Sequence, residues 1–207
     1  MNEHILPLIN KVTPGSLQLV AADELLRRDA IDGARFLLGK VLVMETPDGK
    51  KRRCRIVETE AYHGHEDPSS HAHGGITSRN APMFAQGGHI YVYLIYGVHH
   101  MLNLVTDREG LPSAVLVRAA APLDQLDADS KDSRKIFNGP GKLCRALGID
   151  RQLSSRRLND GPLQLFSDGY QSRNVATGSR IGINAGLELP WRFCDTDFRS
   201  YLSRPPG

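Results

Sequence analysis

Residues 55–71 have the sequence RIVETEAYHGHEDPSSH, in which a β-branched segment runs directly into carboxylates, an aromatic side chain and imidazoles. β-branched residues favour strands, so Arg55–Val57 predicts a strand that ends beside a cleft. Side chains two residues apart in an extended backbone point to the same face, so Glu60 and Tyr62 are predicted to share one pocket. An acid–base group next to a flat aromatic ring suits chemistry on a planar ring.

Two β-hairpins are predicted around this segment. A turn signal, PDGK at 47–50, separates two apolar runs, and a second break at Tyr96-Gly97 separates two more. Tyr96 is therefore expected near a hairpin tip. The predicted hairpin strands are 41–44 with 53–59, and 88–96 with 98–106; three further strands are predicted at 113–119, 163–166 and 180–183.

Helices are predicted on both sides of these strands. Apolar periodicity predicts one amphipathic helix from Asp23 to Leu38, with Asp23 as its N-cap and Gly39 as its stop. A second helix is predicted at 142–147, after Gly-Pro-Gly and before Gly148, and a short one after Pro122. Residues 63–88 are rich in Gly, Pro, Ser and His and predict a long irregular, functional loop.

These elements predict an α+β fold. At 207 residues, with no internal repeat or linker, the chain fits a single domain over residues 1–207. We expect a central, mainly antiparallel, curved sheet with packed helices and a protruding β-hairpin. The ends, 1–15 and 199–207, are expected to be peripheral.

Composition excludes several classes of protein. No apolar run approaches the roughly 20 residues of a membrane helix, and the N-terminus lacks a secretory pattern. Three cysteines that are far apart indicate neither a disulfide framework nor a cysteine zinc site. A cytoplasmic location is expected. The net charge of +3 argues only weakly for nucleic acid, and the basic clusters at 50–55 and 151–157 are either solvated surface or phosphate contacts.

The clustered histidines are compatible with either a metal site or ordinary loop residues. Seven of the eight histidines lie between His63 and His100. However, the His-x-x-x-His spacing of helical metal sites is absent, so loop histidines that bind water or backbone are the simpler interpretation. Neither a Gly-x-Ser-x-Gly turn nor a nucleotide-binding glycine loop is present. No metal and no cofactor are predicted.

Carboxylate and tyrosines together carry more information. Tyr62, Tyr91, Tyr93 and Tyr96 accompany Glu60 in a chain whose aromatic content is only 6%. A single tyrosine at period two is usually a half-buried sheet residue. As a set, aromatic faces that enclose a base, with another aromatic on a hairpin tip, are what extrusion of a nucleotide from a duplex requires.

Ordered motifs then make the pattern specific. They are ETEAY at 58–62, Glu66-Asp67, His71, TSRNAPMF at 77–84, YVYLIYG at 91–97, Asn103 and VRA at 117–119, flanked by ARFLLG at 34–39, GPGKLC at 139–144 and RIGI at 180–183. This series resembles the alkyladenine (3-methylpurine) DNA glycosylase family over most of the chain. Without a long basic N-terminal extension, the chain is similar to bacterial-type members.

The resemblance implies catalytic roles. Glu60 would activate a water for attack on the anomeric carbon of deoxyribose, and Arg118 would keep Glu60 ionised and orient the water. A backbone carbonyl in the 180–183 segment would complete the water site. No catalytic lysine is evident near Glu60, so hydrolysis without lyase activity is expected.

The resemblance also implies a binding site for the base. Tyr62, His71 and Tyr93 would form the pocket, and Asn103 would exclude normal guanine by clashing with its amino group. Tyr96 would fill the gap that the extruded nucleotide leaves in the duplex.

These roles imply a monofunctional glycosylase, acting as a monomer on double-stranded DNA and associated with the bacterial nucleoid. Expected substrates are 3-methyladenine, 7-methylguanine and hypoxanthine, with ethenoadenine as a further candidate. Two alternatives remain at this stage. One is a DNA-binding module without catalysis, which would not need both Glu60 and Arg118. The other is a metal-dependent hydrolase built on the histidine cluster, which would be sensitive to chelators.

Overall fold

Strand β3, Lys51–His63, is central in the computed structural model, which describes residues 17–124 and 133–206. It pairs with β6, Ser113–Pro122, along most of its length. On its other side it pairs first with β2, Val41–Glu45, and from Glu58 onward with β9, Arg192–Asp195. A bulge between Ile56 and Thr59 marks this change of partner.

All strand pairs in the described residues are antiparallel, and they form one nine-stranded sheet. The order is β1-β7-β2-β3-β6-β5-β4, with β9 paired to β3 and β8 paired to β9. This confirms the predicted α+β fold and mainly antiparallel sheet. The remaining strands are β1 Gln18–Leu19, β4 Ile90–Ile95, β5 His99–Val105, β7 Leu163–Ser167 and β8 Val175–Gly178.

The helix predicted from Asp23 to Leu38 is two helices. Helix α1 spans Asp23–Leu26 and helix α2 spans Ala30–Leu37. Asp29, not Asp23, provides the side-chain cap, since its carboxylate accepts hydrogen bonds from the backbone N–H groups of Ile31 and Asp32. The prediction was wrong at this point because it passed over a second capping residue inside the apolar pattern.

Two further helices follow β6. Helix α3 spans Ser133–Ile136 and helix α4 spans Pro140–Leu147. Helix α4 confirms the second predicted helix, and its C-cap Gly148 adopts φ +72°. The predicted entry segment at 1–15 and the helix predicted after Pro122 lie outside the described residues.

The helices pack on one face of the sheet over the main apolar core. Leu25, Leu37, Ile56, Leu143 and Leu147 are among its fully buried members. Gly33 allows α2 to approach the sheet, since a Cβ atom there would lie 2.7 Å from Thr106 Cγ2. None of the helices in the described part of the chain is long and apolar enough to cross a membrane.

The C-terminal residues are not all peripheral, contrary to the prediction for 199–207. A 3₁₀ helix covers Thr196–Tyr201, and Tyr201 and Leu202 are buried in a second apolar cluster with Val57 and Ala119. The prediction failed because these apolar residues find their partners on the sheet face opposite the main core. The end of the chain is thereby held beside β3 and β6.

The long irregular segment is confirmed. Between β3 and β4 the described chain forms turns and one 3₁₀ helix, Ala81–Phe84. Asn80 organises this segment, because its amide donates to the carbonyls of His71 and Gly75. The segment therefore has a defined course from the end of β3 to the start of β4.

Candidate active site

Glu60 is the fully buried centre of the site. It lies within β3 rather than at the end of a strand, because β3 continues to His63. Its Oε2 accepts hydrogen bonds from the Tyr62 hydroxyl at 3.0 Å and from Arg118 Nη1 at 3.2 Å. Its Oε1 accepts one from the backbone N–H of Ile181 at 2.6 Å. Glu60 and Tyr62 thus share a face, as predicted.

The surroundings of Glu60 suit a general base. Burial raises the pKa of the Glu60 carboxyl, whereas Arg118, the Ile181 N–H and the Tyr62 hydroxyl act to lower that pKa. The nearby Glu58 carboxylate adds to the rise. A carboxylate with a raised pKa accepts a proton from water more readily than an exposed one. The three hydrogen bonds also hold the carboxylate in one orientation.

Arg118 bridges two buried carboxylates. It lies in β6, and its Nε is 3.4 Å from Glu58 Oε1 while its Nη1 contacts Glu60. Burial acts to lower the pKa of Arg118, but the carboxylates of Glu60 and Glu58 raise it above its ordinary value. The guanidinium therefore stays charged beside Glu60.

A cavity of about 140 Å³ is lined by all four residues predicted to form the base pocket, namely Tyr62, His71, Tyr93 and Asn103. Tyr91, Arg79, Met83 and Ile183 also contribute to its lining. Burial and the Glu60 charge raise the pKa of Tyr93 to about 12, so its hydroxyl stays neutral. The structure brings these residues together, while their roles toward a ligand stay predictions.

His71 presents a neutral imidazole to the cavity. Its Nδ1 lies 3.0 Å from the Tyr91 hydroxyl, and its ring meets Tyr93 edge-on at a centroid distance of 4.5 Å. Burial, with the charge of Arg79, lowers the pKa of His71. Since Nδ1 is bonded to Tyr91, Nε2 is the atom with which His71 would bind a ligand.

Asn103 is held rigidly at the wall of the cavity. It is buried, and its Nδ2 donates to the backbone carbonyls of Tyr91 and Met101, both at 3.2 Å. These two bonds use both amide hydrogens, so the side-chain oxygen is the group left to meet a base.

Tyr96 lies in the turn between β4 and β5, which pair as the second predicted hairpin. Its side chain is 86% exposed. Both central residues of the turn have positive φ, Tyr96 at +51° and Gly97 at +71°. A bulky residue seldom adopts this conformation, so the turn holds an aromatic side chain in solvent at a cost in backbone strain.

Sequence reasoning missed the ion pair that supports the pocket. Arg180 and Asp67 are both fully buried in a bidentate pair, with N–O distances of 2.5 and 2.7 Å. The Arg180 guanidinium stacks between the rings of Tyr62 and Trp191. Asp67 and Arg180 both stood in the quoted motifs, but nothing in the sequence indicated that they form a pair.

The segment 180–183 is not a strand, contrary to the prediction. The nearby strands are β8 and β9. Its backbone serves the site instead, because the Ile181 N–H binds Glu60 and Gly182, with φ +78°, lines the cavity. The backbone carbonyl expected here at the attacking water stays a prediction.

Three of the clustered histidines contact backbone carbonyls. His65, His73 and His89 each place Nδ1 within 3.1 Å of a backbone carbonyl. Within residues 17–124 and 133–206, no group of three or more His, Cys, Asp or Glu side chains is arranged to hold a metal ion.

Comparison with known proteins identifies the family of this chain. The model of the methylpurine-DNA glycosylase family matches residues 24–199. The chain belongs to this family. It is therefore a DNA glycosylase, a repair enzyme that acts on N-glycosidic bonds of alkylated DNA.

Its relatives align over most of their length. A protein of Methanocella arvoryzae is 42% identical over 189 residues, which cover 87% of this chain and 94% of the relative. One from Anaeromyxobacter dehalogenans strain 2CP-1 is 46% identical over 183 residues, covering 86% and 83%. One from Desulfitobacterium hafniense is 42% identical over 187 residues, covering 82% and 92%. All three carry the provisional name 3-methyladenine DNA glycosylase.

Proposed function

We propose that this glycosylase flips alkylated or deaminated purines out of duplex DNA and hydrolyses their N-glycosidic bond with a water activated by Glu60. The observation that carries the proposal is the fully buried carboxylate of Glu60, which accepts hydrogen bonds from three donors. One of these donors, the hydroxyl of Tyr62, belongs to a residue that lines the aromatic cavity. Candidate substrates are 3-methyladenine, 7-methylguanine, hypoxanthine and ethenoadenine.

Glu60 and Arg118 divide the work on the water. Glu60 takes a proton from the water while the water oxygen forms a bond to C1′ of the deoxyribose. The bond from C1′ to the base nitrogen breaks, and its electron pair leaves with the base. Positive charge develops on the sugar, as in inverting glycoside hydrolysis, and the Glu60 carboxylate stabilises it. Arg118 orients the carboxylate through the 3.2 Å contact.

The pocket favours purines with a positive charge. A cationic alkylpurine stacked on Tyr62 or Tyr93 gains a cation–π attraction of about 0.5–2 kcal/mol. Such a base also leaves without protonation. Neutral hypoxanthine needs a proton on the leaving base, and ethenoadenine has the same requirement.

Normal bases are rejected at two stages. Flipping costs a few kcal/mol and costs less at a damaged or mispaired site, which favours lesions before any contact with the pocket. Inside the pocket, the rigid Asn103 would clash sterically with the amino group of guanine. 7-Methylguanine carries the same amino group, and its positive charge, which favours stacking and departure of the base, offsets that clash. Tyr96, exposed on its strained turn, fills the space that the nucleotide leaves.

One chain is sufficient for this reaction. Every residue of the proposed site comes from the same chain, which suits a monomer acting on chromosomal DNA in the cytoplasm. No lysine is found among the described residues that line the cavity, so we propose that the abasic product is released without strand cleavage.

The test is release of the base from duplex oligonucleotides that contain 7-methylguanine or hypoxanthine, measured with EDTA present. Wild type is expected to release the base, and Glu60→Gln to bind the lesion without releasing it. Glu66→Gln makes the same chemical change at an exposed position and is the matched control. Equal rates for wild type and Glu60→Gln would contradict the role of Glu60. Cleavage of the DNA strand without alkali treatment would contradict the proposed absence of lyase activity.

A further inference from the structure

Glu58 is a second buried carboxylate two residues from Glu60, and the mechanism above does not use it. It has no exposed surface. Its Oε1 accepts hydrogen bonds from Arg192 Nε at 2.7 Å and from the Ser203 hydroxyl at 2.8 Å. Its Oε2 accepts one from the Ser203 backbone N–H at 2.6 Å. Arg118 Nε completes the set at 3.4 Å.

Ser203 joins this carboxylate to Arg118. Its hydroxyl donates to Glu58 and accepts from Arg118 Nε at 3.4 Å. Arg192 reaches back to the same segment, because its Nη2 donates to the Arg204 carbonyl at 2.5 Å. The segment Ser203–Arg204 therefore completes the hydrogen bonds around Glu58. These bonds meet Arg118 at its Nε, whereas Glu60 contacts its Nη1.

Apolar packing holds the segment in place. Tyr201 and Leu202 are buried against Val57 and Ala119, the direct neighbours of Glu58 and Arg118 in the sequence. The backbone N–H of Ser203 is thus presented to Glu58 from a fixed anchor. Burial of a carboxylate is costly unless it is hydrogen-bonded, so the bonds from Ser203 offset part of the cost of burying Glu58.

We propose that Glu58 and the C-terminal segment Ser203–Arg204 are positioning elements of the active site, which hold the Arg118 guanidinium against the catalytic Glu60. Arg118 is held at Nε by Glu58 and Ser203, and this leaves Nη1 directed at Glu60. Without the anchor at Nε, the guanidinium can turn away from the reacting water. This inference rests on the proposed role of Glu60.

Glu58 also acts on Glu60 through its charge. Its negative charge contributes to the raised pKa of the Glu60 carboxyl. Removing that charge lowers the pKa of Glu60, whereas an Arg118 guanidinium that turns away from Glu60 withdraws its own lowering effect and so raises that pKa. The titratable and charged groups that face the two carboxylates are Arg118, Arg192, Tyr62, Tyr93 and Cys194.

The experiment compares Ser203→Ala, Ser203→Thr and Glu58→Gln with wild type in single-turnover base release. Ser203→Ala removes the bridging hydroxyl and keeps the N–H, so we expect a rate about tenfold lower with unchanged affinity for damaged DNA. Ser203→Thr retains the hydroxyl and is expected to release the base at the wild-type rate. Ser200→Ala, an exposed serine in the same 3₁₀ helix that leads to this segment, is the matched control.

A pH profile separates positioning from general loosening. In Glu58→Gln the rate is expected to fall about a hundredfold. In Ser203→Ala, which keeps the Glu58 charge, the acid limb is expected to move to higher pH because Arg118 no longer lowers the pKa of Glu60 as strongly. Loss of packing alone would lower the rate without moving the limb in that direction. A chain that ends at Leu202 removes both Ser203 bonds while retaining the apolar anchor, and serves as the second variant if Glu58→Gln fails to fold.

Titration of ¹³C-labelled glutamate carboxyl groups by NMR tests the inference without activity. We expect the pKa of Glu60 to be higher in Ser203→Ala than in wild type, because that variant keeps the Glu58 charge and loses only the hydroxyl that holds Arg118 Nε. An unchanged Glu60 pKa, or equal rates for wild type, Ser203→Ala and the chain ending at Leu202, would overturn the positioning role. Absence of base release by wild type would instead contradict the proposed function, and the NMR result would still decide the inference.

Discussion

In the proposed mechanism Glu60 acts as a base only when it is ionised, and burial raises the pKa of its carboxyl. Base release from a cationic lesion such as 7-methylguanine is therefore expected to decline as the pH falls through a pKa above that of an exposed glutamate. Hypoxanthine, which must gain a proton to leave, should add a second decline at high pH. Single-turnover rates against pH for both lesions check this, and a rate for 7-methylguanine that is constant through the acid range would contradict it.

Some residue contacts follow from local rules and others do not. The shared face of Glu60 and Tyr62 was predictable, because side-chain alternation is a property of any strand. The Arg180–Asp67 pair joins residues 113 positions apart, so only the tertiary fold brings them together. The same is true of Ser203 and Glu58, which are separated by 145 positions.

At the scale of elements, Gly33 sets the distance between helix α2 and the sheet. Alanine favours a helix over glycine by about 1 kcal/mol, but overpacking costs about 1–3 kcal/mol. Since a Cβ at residue 33 would meet Thr106 Cγ2 at 2.7 Å, Gly33→Ala is expected to lower the free energy of unfolding. Thr106→Ser removes that methyl group, retains the hydroxyl bonded to Ser113, and should restore stability in the double variant. Denaturant unfolding of wild type, the two single variants and the double variant measures these free energies. A Gly33→Ala variant that is more stable than wild type would contradict the prediction.

The hairpin turn at Tyr96 trades stability for exposure of an aromatic ring. Tyr96→Gly removes the strain of a positive φ and is expected to raise the free energy of unfolding by about 1 kcal/mol. Base release from duplex DNA should fall about tenfold, and release from an unpaired bubble much less, because no gap then needs filling. Val98→Ala, at an exposed position two residues further, is the control. Equal losses on duplex and bubble would contradict the proposed role of Tyr96.

Element boundaries were predictable where capping and turn residues act alone. The PDGK turn and Gly148 were identified correctly, since glycine at positive φ is a local requirement. The 180–183 segment has the composition of a strand, yet its backbone N–H is bonded to Glu60 rather than to a neighbouring strand. A functional use of the backbone overrides strand propensity there, and sequence composition carries no sign of it.

At the scale of the whole molecule, the structure distinguishes the two basic clusters. In the cluster at 50–55, ion pairs already engage Lys50 with Asp48, Lys51 with Glu45, Arg53 with Asp124, and Arg55 with Asp168. In the cluster at 151–157, Arg157 also pairs with Asp23, but Arg151 is exposed and lines a polar groove together with Arg79 and Tyr93. Because Arg79 and Tyr93 line the base pocket as well, this groove lies beside that pocket. The groove is therefore the expected path of the DNA backbone beside the flipped nucleotide.

This assignment predicts how salt affects DNA binding. Each phosphate contact contributes a slope of about −0.9 to the dependence of log K on log salt concentration. Arg151→Ala is therefore expected to weaken DNA binding and to reduce the slope by about 1, while single-turnover release at saturating enzyme stays unchanged. Lys51→Ala, an exposed residue of the other cluster, should leave the slope unaltered. Fluorescence anisotropy of labelled duplexes over a range of salt concentrations measures both slopes. An equal reduction for the two variants would show that net charge, rather than the groove beside the pocket, determines DNA affinity.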